Sequence, residues 1–158
     1  MITKIFIFLL VRMFLATRVD AQSFPFQQFD NIKWGMSLDD LKKAMPAGEM
    51  KIEKGKPLYM LQDSIYGHPA SFGFGLSKNG ARLIQILIFV SKDRKRPGAE
   101  LVQLLNQLIT LFTTYHGNPV TDKKIMGQRA MKWNTKGSSL LFIGSNDVIS
   151  IAYSEPKK

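Results

Sequence analysis

The sequence predicts an α+β fold, with helices packed on one face of an antiparallel β-sheet, and three observations lead there. Residues 97–119 carry the pattern of a single amphipathic helix. At about 100° per residue, Leu101, Val102, Leu104, Leu105, Leu108, Ile109, Leu111, Phe112 and Tyr115 fill one half of its surface, and Gln103, Asn106, Gln107, Thr110, Thr113 and Thr114 fill the other. Strand-like runs lie on both sides of this segment in the chain. An apolar half-cylinder that wide needs a broad partner, which an antiparallel sheet offers. Helix followed by three strands recurs after roughly 60 residues, a spacing longer than ordinary solenoid repeats, and suggests two fused α-β-β-β halves.

The first 21 residues have the plan of a secretory leader: Lys4, an apolar run over residues 5–11 extended by residues 13–16, then Val19-Asp20-Ala21 with small residues at a cleavage position. Arg12 interrupts the apolar run. About a dozen apolar residues with an arginine among them are too few to cross a bilayer about 30 Å thick, so cleavage near Ala21 is favoured over an uncleaved anchor or a buried first strand. The expected product is one domain, residues 22–158, exported to the periplasm or secreted.

Residues 22–33, rich in Phe and Gln, read as an extended lead-in with an edge strand at residues 29–32. Ser37 is a suitable N-cap for a short helix, with Asp39 and Asp40 at its positive end and Lys42 and Lys43 at the other, before Pro46 stops it. Residues 49–57 read as a charged loop. Strands are expected at residues 58–62, 69–77 and 82–90, with Asn79-Gly80 as a tight hairpin turn. The run at 82–90 is apolar on both faces, which predicts a central strand covered from both sides. Residues 97–119 follow as the long helix, closed by Gly117 and Pro119. Residues 124–133, 139–144 and 148–153 supply three more strands.

The chain has 158 residues, 45% of them hydrophobic, and this suits one well-buried domain. Its formal charge is +10, and removal of the leader still leaves an excess of 8 positive charges. Such a balance favours anionic partners without specifying chemistry. There is no cysteine, which excludes disulfides, a thiol nucleophile, Cys-ligated zinc and an acylated lipoprotein cysteine.

Trp34-Gly35-Met36-Ser37 with its short helix, the phenylalanine run before Asn79-Gly80, and the helix end Tyr115-His116-Gly117-Asn118-Pro119 together resemble a type of small exported bacterial protein. Gly35-Met36-Ser37 resembles the Gly-Met-Ser/Thr helix start of SmpA/BamE-like envelope domains. The duplicated plan is similar to that of beta-lactamase-inhibitor-like proteins. The resemblance implies an α+β domain that acts by binding other proteins, in envelope assembly or hydrolase inhibition. The chain departs from the lipoprotein members in lacking the anchoring cysteine.

No nucleophile elbow, phosphate-binding glycine loop or His-Glu-x-x-His motif occurs, so neither an enzyme nor a cofactor or metal is expected. His68 and His116 have no nearby acidic cluster in sequence and are read as structural, since zinc needs three or four ligands and a catalytic imidazole needs an orienting partner. A hydrolase with carboxylates dispersed along the chain ranks last. Two surfaces are candidate binding sites. The neutral outer face of the long helix, with Gln103, Gln107, Thr110 and Thr114, lacks charge and is therefore easy to desolvate against another envelope or secreted protein. The basic cluster Lys92, Arg94, Lys95 and Arg96, just before that helix, is the alternative: electrostatic capture of an anionic envelope component, a lipid headgroup or a polysaccharide. Nucleic acid is not an expected partner of an exported chain, and Trp34, Trp133 and the Phe24, Phe26 and Phe29 series are read as packing residues.

Overall fold

A computed structural model describes residues 24–92, 98–135 and 138–155. The leader-like residues 1–21 lie outside the described residues, as does Pro97. Eight strands follow in order: β1 (Glu49–Glu53), β2 (Lys56–Ile65), β3 (His68–Leu76), β4 (Leu83–Ser91), β5 (Thr121–Ile125), β6 (Gln128–Asn134), β7 (Ser139–Gly144) and β8 (Val148–Ser154). They form one sheet in the order β1-β2-β3-β4-β8-β7-β6-β5, antiparallel throughout. The helices are α1 (Leu38–Ala44) and α2 (Gly98–His116), of 7 and 19 residues.

The fold is thus β-rich, dominated by an eight-stranded antiparallel sheet, and this corrects the α+β class expected from sequence. The plan of α-β-β-β halves is corrected with it, because each helix is followed by four strands. The missing strands were hidden by turn chemistry and exposure. Lys54-Gly55, Tyr66-Gly67 and Met126-Gly127 each form a two-residue turn with both residues at positive φ, 48–49° and then 76–79°. Lys, Tyr and Met are poor signals for that conformation, which costs an ordinary L-residue about 1–2 kcal/mol. The first of these turns makes a strand of the expected charged loop, and the third splits the expected strand at 124–133 into β5 and β6. All five residues of β1 are exposed, so no alternation marks it.

Two further expectations are corrected. Residues 27–29 form a 3-10 turn, and no strand occurs at 29–32. Asn79-Gly80 sits in a six-residue loop and not in a two-residue turn. There the Asn79 side chain accepts from the Ala81 N–H at 3.2 Å and the Ser77 hydroxyl at 2.6 Å, and only Gly80 has positive φ.

The core lies on one face of the sheet. Register aligns Tyr59, Phe74, Ile86, Tyr153, Leu140 and Trp133 across six strands, all of them buried. Over this row lie residues 24–45 and α2. Phe29 meets Phe72 and Phe74 edge-on at centroid distances of 5.3 and 5.8 Å, and Phe112 of α2 meets Trp133 and Phe142 at 5.8 and 6.0 Å. The Tyr59 hydroxyl donates to the Met45 carbonyl at the end of α1. Ser37 caps α1: its oxygen accepts from the Asp40 N–H at 3.2 Å and its hydroxyl donates to the Asp40 carboxylate at 2.7 Å, which holds that carboxyl below its ordinary value. Among the described residues, no helix lies on the opposite face of the sheet. β4 is central, as its apolar run predicts, yet Phe89 on that second face is 40% exposed, so the expectation of cover on both sides is corrected.

Candidate functional site

The outward face of α2 follows from its periodicity. Burial of Leu101, Leu104, Leu108 and Phe112 turns Gln103, Asn106, Gln107, Thr110 and Thr114 to solvent, at spacings of three and four residues. From Leu101 to Tyr115 the helix contains no charged side chain. Beside it stands Tyr66, 61% exposed, held out by the β2–β3 turn at φ +48°. Between Tyr66 and the helix runs a shallow groove of about 760 Å³ whose lining includes Val102, Gln103, Gln107 and Thr110. The structure thus gathers three of the four expected helix residues into one concavity, and leaves Thr114 exposed beyond its lining. Tyr66 was not legible as a site residue. Its only sequence signal is a tyrosine before a glycine between two strand-like runs, and its proximity to a segment over 30 positions later is set by the sheet.

Of the basic cluster, only Lys92 falls among the described residues; Arg94, Lys95 and Arg96 lie outside them. The Lys92 ammonium is 3.9 Å from the Asp147 carboxylate, and the Lys92 N–H donates to the Asp147 carbonyl at 2.8 Å. The same ammonium lies 3.6 Å from where a Cβ on Gly98 would stand, beside the first turn of α2. The pair with Asp147 is solvent-exposed and therefore weak.

His116 ends α2, half-buried, its ring stacked on Phe112 at 6.5 Å and edge-on to Tyr153 at 6.3 Å. Burial lowers its pKa from the ordinary imidazole value, so the neutral form is favoured despite the negative helix end nearby. Burial also raises the Tyr153 hydroxyl well above its usual range, with a smaller contribution from Tyr115. His116 Nε2, the Tyr153 hydroxyl and Trp34 Nε1 are buried with no hydrogen-bond partner among the described residues, and Phe24 touches both Trp34 and Tyr153, at 5.5 and 5.2 Å. His68 begins β3, paired with Ile65. Among the described residues, no three His, Asp or Glu groups gather in a metal-ligating arrangement.

Comparison with protein-family models, curated proteins and solved structures yields no match to this chain.

Proposed function

We propose that this chain is a non-catalytic exported binding protein, working in the periplasm or outside the cell, that holds another envelope or secreted protein against the outer face of α2. One observation carries the reading: Gln103, Gln107, Thr110 and Tyr66 line a single groove to which no charged side chain contributes among the described residues, on a chain whose formal charge is +10. Uncharged amide and hydroxyl groups offer donors and acceptors at a lower desolvation cost than ammonium or carboxylate groups, and an exposed tyrosine supplies contact area with few rotors to order. The leader-like residues 1–21 support export.

The test is capture from a cell-envelope extract at low and high salt, followed by reconstitution with the purified partner. A partner bound at high salt, and lost with Gln103→Lys/Thr110→Lys while the fold is retained, is the expected result. Capture of anionic lipid or polysaccharide alone, at low salt alone, would overturn it in favour of Lys92, Arg94, Lys95 and Arg96, because counterion-driven binding falls steeply with ionic strength.

A further inference from the structure

The face of the sheet opposite α2 contains a cleft separate from the groove beside Tyr66. Its base is the side-chain-free position Gly75 on β3, with Leu58 of β2 on one flank and Leu87 and Phe89 of β4 on the other. A glycine at this point of β3 leaves a trough between its two neighbours, and a Cβ there would stand 3.1 Å from the Gln85 Cβ. An irregularity at Gly75/Leu76 opposite β4 turns both Ile84 and Gln85 into the cleft, where regular pleating would show only one of them. The volume is about 650 Å³, within the roughly 300–1,000 Å³ of small-molecule sites.

Chemistry differs along the cleft. At the end formed by the β1–β2 turn and the β3–β4 loop stand Lys54, Lys56 and Lys78, against one carboxylate, Glu53. None of the three lysines joins an ion pair among the described residues. From there Gln85, Leu87 and Phe89 run along β4 toward the sheet centre, about 13 Å at roughly 3.3 Å per residue. Phe89 is paired with Ser71 and Ser150, so no large side chain covers it from either neighbouring strand.

We infer that this cleft binds a single-chain amphipathic anion, a free fatty-acid-type carboxylate whose headgroup sits among Lys54, Lys56 and Lys78 and whose hydrocarbon lies along Leu58, Leu87 and Phe89. Charge complementarity at one end is joined to an apolar track along the rest. Three ammonium groups at one end, without an ion pair among the described residues, call for a localised negative charge, and lysine stems cover apolar surface while their heads stay wet. Beyond the lysines the lining side chains of β2 and β4 are apolar except for Gln85. A small hydrophilic anion would leave that track unused, and an uncharged alcohol would leave the ammonium groups without a counter-charge.

The experiment is calorimetric titration of the purified protein with dodecanoate below its micelle-forming concentration, alongside dodecanol and acetate. Saturable binding of one dodecanoate per chain is expected, with dodecanol and acetate at least about tenfold weaker. Lys54→Gln/Lys56→Gln/Lys78→Gln should weaken dodecanoate at least about tenfold and leave dodecanol unchanged, whereas Phe89→Asp should weaken both; circular dichroism reports whether each variant is folded. No saturable dodecanoate binding, equal binding by the folded triple variant, or binding to vesicles of anionic phospholipid without binding to monomeric dodecanoate would each overturn the inference, the last by assigning the face to a membrane surface. Substitutions on α2 do not enter this experiment, so its outcome is independent of the docking reading.

Discussion

The indole N–H of Trp133 donates to the carbonyl oxygen of Gly117 at 2.9 Å, tying the residue that ends α2 to the interior of β6. Gly117 stands at φ +79°, and its own N–H closes on the Thr113 carbonyl at 2.9 Å, so the helix end and the sheet share one hinge of hydrogen bonds. Trp133→Phe keeps most of the buried ring and removes the donor. The expected loss is about 1–3 kcal/mol, read as a lower urea midpoint with an unchanged m-value, because the carbonyl is left without its partner.

Leu108 is fully buried beneath α2, and its truncation leaves a cavity that neighbouring rings fill only in part. Leu108→Ala should cost about 2–5 kcal/mol. Gln103→Lys, one turn away on the exposed face, should fall within about 0.5 kcal/mol of the parent in the same urea experiment. Equal effects at the two positions would contradict the assignment of inner and outer faces.

His116 provides a pH signature. Burial lowers its folded-state pKa below the ordinary value of about 6.5, so below that pH the unfolded chain takes up the proton more readily than the folded one. Its contribution to stability is therefore complete above about pH 6.5, falls as pH drops through that value, and levels off only below the folded-state pKa. Urea midpoints across this window should decline in the parent and decline less in His116→Gln. The carboxyls of Asp40, held low first by the Ser37 side chain, and Asp122, held low first by Arg129, act in a separate window: their contribution is present above about pH 4 and is lost as pH falls through their depressed values.

Met126 is fully exposed at φ +49° on the β5–β6 turn, so it occupies a left-handed position without compensating contacts. Met126→Asn should raise stability by some tenths of a kcal/mol, up to about 1, because Asn tolerates that conformation better. Gly127→Ala, at φ +77°, should lower it by about 1 kcal/mol. Thermal unfolding of the two variants checks both signs.

Where burial is one-sided and the period regular, the sequence is legible. The α2 segment and the strands β7 and β8 lie within three residues of their expected ends, and Leu101, Leu104, Leu108 and Phe112 are buried as periodicity predicts, whereas Val102 and Tyr115, expected on the same inner face, are not: Val102 lines the groove beside Tyr66 and Tyr115 is 46% exposed. Legibility fails where exposure removes the pattern. β1 is exposed throughout, β5 nearly so, and their turns use Lys and Met where Asn or Asp would have announced a hairpin. Reading β1 as loop, and β5 with β6 as one strand, is what shifted the expected class from β-rich to α+β.

The candidate sites divide in the same way. By itself the sequence determined the uncharged side of α2, because a helix assigns its faces through a 3.6-residue repeat that any reader can follow. Only the tertiary structure brought Tyr66 to that side, and only the pairing of β2, β3 and β4 placed Leu58, Gly75 and Leu87 around one trough with three lysines at its end. Strand neighbours are chosen by register across the whole sheet, and contacts made through register carry no local period along the chain.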